Sequence, residues 1–254
     1  MCYFVNSQPG TLLLNRVNII SDLKYNQMSS KIILLVLFVV SMFIMAFNYE
    51  SKKKKVLFFG DSITEMGVQP GGYITMIDGF IKSEGLSEKY QTIGSGISGN
   101  KIYDLYFRLE DDVLAKSPDI VVIYIGINDV WHKKLAQTGT DYDKFGKFYE
   151  GIVKKLKANN IKVIISTPAV IGEKADGTNE MDADLNSYCL WIRTFAEKNH
   201  LPFVNLRHVF YEYENVNNIE NRESGILTVD KVHLNAKGNE LVAKEFWKAI
   251  KSIK

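Results

Sequence analysis

The chain has 254 residues, of which 46% are hydrophobic and 24% charged, and its formal net charge is +2. This length suits one large domain with an appendage, and the composition excludes a wholly disordered, collagen-like or multi-spanning chain. The near-neutral charge gives no electrostatic case for nucleic-acid binding, and Cys2 and Cys189 cannot make a disulfide scaffold.

Residues 1–27 read as a poorly defined extension, and Met28 followed by Ser29, Ser30 and Lys31 has the look of a start with a short basic region. Residues 28–50 read as a signal peptide or a membrane anchor. The apolar run Ile32 to Phe47 has 16 residues. At 1.5 Å rise each it would span about 24 Å, short of the roughly 30 Å hydrocarbon core yet slightly long for a secretory segment. A weak cleavage site follows Ala46, whereas Lys52 to Lys55 tend to hold their side in the cytoplasm. The expectation is an extracytoplasmic protein, periplasmic or secreted, or one anchored through residues 32–47 with its N-terminal segment in contact with membrane. Charge divides at the same place. Residues 1–55 carry seven basic and two acidic residues, against 24 and 27 from Val56 onward.

One domain is expected over residues 55–254. Val56 to Phe59 predicts a strand, Gly72 to Lys82 a helix, Tyr90 to Ile93 a second strand and Lys101 to Ala115 a second helix. The β-branched run Asp119 to Ile125 makes a third strand, Tyr142 to Ala158 a helix, Lys162 to Ser166 a fourth strand and Asp182 to Lys198 a helix. Pro202 to Leu206 reads as a fifth strand and Ala236 to Ile253 as a closing helix. Continuous apolar strands alternating with helices require a parallel sheet covered on both faces, so the class is α/β.

In such a sheet the loops after the strands meet on one edge. There the chain places Gly60-Asp61-Ser62, Gly94 to Asn100, Gly126 to Asp129, and Asp230 to His233. A serine hydroxyl needs a base to become a nucleophile, and histidine is suited to that task near neutrality. Ser62 and His233 fit these roles, with Asp230 three residues earlier able to orient the imidazole. The Ser62 and Gly99 amides and the Asn128 carboxamide could stabilise a developing oxyanion.

These four blocks, GDSIT, GISGN, GIND and DKVH, resemble the SGNH (GDSL-type) hydrolase family over about residues 55–250. The resemblance implies a flavodoxin-like three-layer α/β/α sandwich with a five-stranded parallel sheet. It also implies catalysis by Ser62, Asp230 and His233 and an oxyanion hole from Ser62, Gly99 and Asn128. The second block begins with Gly94 where the family often has Asn, which leaves Gly96 as an alternative to Gly99 as the amide donor. Asp61, Gly96, Asp129, Trp131 and His132 are candidate pocket residues. His200 and His208 read as surface or packing residues, and Trp191, Trp247 and Cys189 as core.

Gly94 to Gly99 also spells a dinucleotide fingerprint, but it follows the second strand, and Asp119 opens the next strand at the opposite edge from any ribose. No CxxC or HExxH spacing is present, so neither a metal nor a cofactor is expected. The expected activity is hydrolysis of carboxylic esters, with short acyl or acetyl groups on carbohydrates favoured. The alternatives are a lysophospholipase or thioesterase-type lipase, an O-acyltransferase, and a catalytically silent glycan-binding module.

Overall fold

The computed structural model describes residues 31–42 and 52–253. Contacts divide the chain into two units, Met1–Ser51 and Lys52–Lys254. In the first, residues 31–42 are helical with largely exposed apolar side chains, from Ile32 to Met42. Among the described residues, no helix is long and apolar enough to cross a membrane. The expected extension over 1–27 and the end of the apolar run, with the position after Ala46, lie outside the described residues, whereas Lys31 and Lys52 to Lys55 lie within them.

In the second unit five strands form one parallel sheet in the order β2-β1-β3-β4-β5, the flavodoxin-like arrangement. They are β1 Lys54–Gly60, β2 Tyr90–Gly96, β3 Ile120–Tyr124, β4 Lys162–Ser166 and β5 Phe203–Val204. Every residue of β3 is buried, as are Val56 to Phe59 of β1, because helices cover both faces of these central strands. The side chains of neighbouring residues point to opposite faces. Phe58 packs against Tyr73 of α2 (Tyr73–Ser83) and Phe246 of α8 (Ala236–Ser252). Phe59 meets Arg108 of α3 (Ile102–Asp112), whose guanidinium lies 4.5 Å from its ring centre. On that second face α3 packs on α5 (Tyr142–Ala158).

Three helices lie where sequence patterning indicates none. These are α1 (Ser62–Gly67), α4 (Ile127–Ala136) and α7 (Leu206–Asn217). The long helix α6 (Asp182–Asn199) is placed as expected. The fifth strand is shorter than the expected Pro202 to Leu206. Asn205 already caps α7, its side-chain oxygen accepting from the His208 N–H at 3.2 Å, and Leu206 belongs to the helix.

The register aligns the carboxyl ends. Gly60 pairs with Gly96 on one side and Tyr124 on the other, and Tyr124 pairs with Ser166. The strand order reverses between β1 and β3, which opens a crevice beyond their carboxyl ends. Ser62 follows β1 and Asn128 follows β3, so both stand at that crevice. Asp119 lies at the opposite edge, where its carboxylate accepts the Lys55 N–H at 2.7 Å.

Candidate active site

Ser62 is the first residue of α1, and the Asp61 carboxylate caps this helix by accepting the Ile63 N–H at 3.0 Å. The first N–H groups of a helix have no partner within it, so the Ser62 amide is free to face a ligand. The Ser62 hydroxyl lies 2.9 Å from His233 Nε2, and His233 Nδ1 lies 2.6 Å from Asp230 Oδ2. With the Nδ1 proton directed at Asp230, Nε2 is left to accept from Ser62.

The loop from Asp230 to His233 is tightly wound. Asp230 Oδ1 accepts the N–H groups of Val232 at 3.2 Å and His233 at 2.7 Å. Partial burial acts to raise the Asp230 carboxyl, but the His233 ring and these two amides outweigh it and hold the carboxyl below its ordinary range. It is an anion that fixes both the ring and the loop beneath it.

Gly99 has a φ of 76°, which suits glycine, and nothing crowds the position where a Cβ would stand. Gly96 is different. It ends β2 opposite Gly60, and a Cβ there would come within 2.1 Å of the Glu65 nitrogen. Its role is to let α1 pack on β2, which leaves the loop position to Gly99. The buried Asn128 donates one Nδ2 hydrogen to the Asn100 carbonyl at 3.1 Å, so its second hydrogen remains for a ligand.

Residues that local patterning does not single out hold these loops. Glu65, on α1, accepts the Ser98 N–H at 2.7 Å and also the Ser98 hydroxyl, tying the helix of Ser62 to the loop of Gly99. Arg108 donates to the carbonyls of Gly60 at 2.8 Å and Ser95 at 3.0 Å and to the Asn100 side chain at 2.7 Å. Its one signal in the sequence is an arginine between the apolar positions Leu105 and Leu109 of a helix.

A family model for the GDSL-like lipase/acylhydrolase family matches residues 58–241. The chain belongs to this family. The acylhydrolase is 28% identical over 212 residues to an acetylxylan esterase of Geobacillus stearothermophilus, covering 78% of this chain and 94% of that protein. It is 54% identical to the acetyl xylan esterase AlAXEase in its crystal structure, with a TM-score of 0.76 over 77% of this chain and 99% of that one. LAE5, an alpha/beta hydrolase from the metagenome of Lake Arreo, has 23% identity and a TM-score of 0.69 over 81% of this chain and 99% of its own, and shares the fold. The acylhydrolase is thus a carboxylic ester hydrolase of the SGNH type.

The remaining candidate residues occupy distinct places in the acylhydrolase. Trp131, on α4, sets its ring edge-on to His233, with centres 6.4 Å apart, and lines a cavity of about 290 Å³ with Asp230 and Val232. His132 lies behind the Gly99 loop, where burial and then the nearby Lys101 charge depress its ring below the usual histidine range. Asp61 is buried, and this pushes its carboxyl up to about 7 against the pull of the Ile63 amide. Asp129 is also buried and is raised to about 6; it accepts the Ile102 N–H at 3.1 Å and so braces the start of α3. Asp61 and Asp129 therefore act on backbone and not on the open cavity.

Away from this edge, His208 is exposed beside Glu212, and His200 closes α6. Trp247 is buried, Trp191 half-buried against Phe195, and the buried Cys189 thiol is pushed up to about 12. Among the described residues, no group of His, Cys, Asp and Glu side chains is arranged to hold a metal ion.

Proposed function

We propose that this enzyme removes acetyl groups from a xylan-type carbohydrate through an acyl-enzyme on Ser62. The observation that carries the chemistry is the unbroken path from Ser62 Oγ through the His233 ring to Asp230. Ser62 Oγ attacks the ester carbonyl while its proton passes to His233 Nε2. The oxyanion is met by the amides of Ser62 and Gly99 and the second Asn128 hydrogen. Collapse breaks the bond to the sugar oxygen, which takes the proton from His233 and leaves acetyl on Ser62. Water then gives a proton to His233 and attacks the acetyl carbon; collapse breaks the bond to Ser62 Oγ, which takes that proton back from His233 as acetic acid departs and ionises to acetate. Asp230 orients the ring and stabilises its cationic form without taking the proton.

Similarity to two proteins named as acetyl xylan esterases supports the carbohydrate reading. Trp131 adds a flat apolar ring beside His233 for a sugar to lie against. Ser62→Ala should lower kcat on 4-nitrophenyl acetate by about 10³-fold or more without changing Tm. An acyl series from acetate to octanoate, together with acetate release from acetylated xylo-oligosaccharides, tests the substrate. Preference for long chains would favour a lipase, and ester formation on added sugar would favour acyl transfer.

We also propose that the N-terminal unit directs export. Support comes from the apolar helix over residues 31–42 and from the basic charge that flanks it. Cell fractionation followed by N-terminal sequencing of the mature protein tests this, and full-length enzyme confined to the cytoplasm would reject it.

A further inference from the structure

A second cavity, of about 550 Å³, opens between α6 and α7, and none of Ser62, Asp230 and His233 lines it. Its volume is in the range that holds a small ligand. Glu214 of α7 forms part of its wall although only 2% of the residue is exposed. Among the described residues, no group hydrogen-bonds to Glu214 Oε1. A buried carboxyl with an oxygen left unpartnered is costly, so one set in the wall of an open cavity marks a place where a ligand can supply to the group what the protein does not.

The other groups on the wall decide which ligand. The cations are already matched: Arg207 by Asp182 at 2.7 Å, Lys174 by Glu223 at 3.0 Å and Arg193 by Glu197 at 2.9 Å. No charge is left over for an anion. The His208 ring on the same wall lies 3.8 Å from Glu212 Oε1, and the other polar groups that remain are uncharged. Asn186 uses its side-chain oxygen to accept from Arg207 at 2.9 Å, and Asn205 uses its own to accept from the His208 N–H, so each presents an NH₂ group. Tyr211, on the same helix as Glu214 and one turn before it, is 46% exposed and offers a ring face and a hydroxyl. Burial, and then the proximity of Glu173, pushes the Glu214 carboxyl up to about 8. A neutral carboxyl both donates and accepts. Two amide donors, a donor–acceptor pair and an aromatic face are the complement of a neutral ring that bears several hydroxyls.

We infer that this cavity is a second saccharide-binding site, which takes a sugar unit of the same neutral glycan that the enzyme deacetylates; the identity of that glycan rests on the function proposed above. Lys174 lines both this cavity and the one beside Trp131 and Asp230, so the two share a wall. A chain of several sugars held at both would be retained between successive deacetylations, whereas a small ester would never meet the second site.

The test measures calorimetric binding of unacetylated xylohexaose to the wild-type enzyme and to Tyr211→Ala, Glu214→Leu and Glu214→Gln. Glu214→Leu replaces a buried unpartnered group by an apolar one of similar volume, so it should fold at least as well as wild type. Turnover of 4-nitrophenyl acetate serves as the control and should stay within about twofold of wild type in all three. Affinity for xylohexaose should fall about tenfold in Tyr211→Ala and Glu214→Leu and be kept in Glu214→Gln, which still donates and accepts. Equal affinity in all four proteins, or no binding by wild type, overturns the inference. Tyr211-dependent binding by an enzyme that releases no acetate from acetylated xylo-oligosaccharides supports this site and rejects the substrate proposed for Ser62.

Discussion

The Glu173 carboxylate accepts the main-chain N–H of Leu227 at 2.6 Å, in the segment that leads into Asp230 and His233. It also accepts the Ile226 N–H at 2.8 Å and that of Thr228, and Thr228 bridges to Leu234 on the far side of the loop. The neighbouring Gly172 N–H reaches the Lys231 carbonyl at 2.8 Å. One fully buried carboxylate thus fixes the entry of the loop from Asp230 to His233, and the Thr228 bridge to Leu234 ties that entry to the exit.

Glu173→Ala would leave three N–H groups without an acceptor, at a cost of about 1–3 kcal/mol for each that stays buried. The expected outcome is a clear fall in Tm together with a fall in kcat on 4-nitrophenyl acetate, with KM little changed. Glu173→Gln keeps one acceptor oxygen and should lie between the two. Thermal unfolding and steady-state kinetics on both variants check this; an unchanged kcat in Glu173→Ala would show that the loop holds its own shape.

Glu65 does for the glycine loop what Glu173 does for the histidine loop. Its contacts to Ser98 anchor the residue just before Gly99. Loss of a whole oxyanion donor costs on the order of 10² to 10³ in rate, and displacement of one should cost less. Glu65→Ala should therefore lower kcat by about tenfold while KM for a small acetyl ester stays near its wild-type value. A matched change in KM alone would place Glu65 in ground-state binding instead.

These supports were illegible in the sequence, for a physical reason. Ser62, Gly99, Asn128, Asp230 and His233 each sit in a short block after a strand or loop whose apolar pattern is plain, and their residue types fit one reaction. Glu65, Arg108 and Glu173 act on main-chain atoms remote in sequence, and such contacts leave no local period. The same logic explains the elements. The wholly buried strands β1 and β3 read directly, but the buried positions of α7 are Leu206, Phe210 and Glu214, so one turn in three interrupts the apolar stripe with an acid. That interruption is the cavity wall, where the pattern yields to a site.

Glu214 also ties stability to pH. Burial, and then Glu173, raises its carboxyl to about 8 in the folded protein, against about 4.3 in an unfolded chain. Between these values the folded state holds the proton that the unfolded state has released, so stability falls as pH rises through that window and levels off above about 8. Glu214→Gln cannot ionise and escapes the loss. The variant should match wild type near pH 4, and its advantage in urea midpoint should grow steadily to a plateau above the folded pKa. Urea titrations across the window check the sign; an advantage that shrank with rising pH would mean that the Glu214 carboxyl is ionised in the folded enzyme.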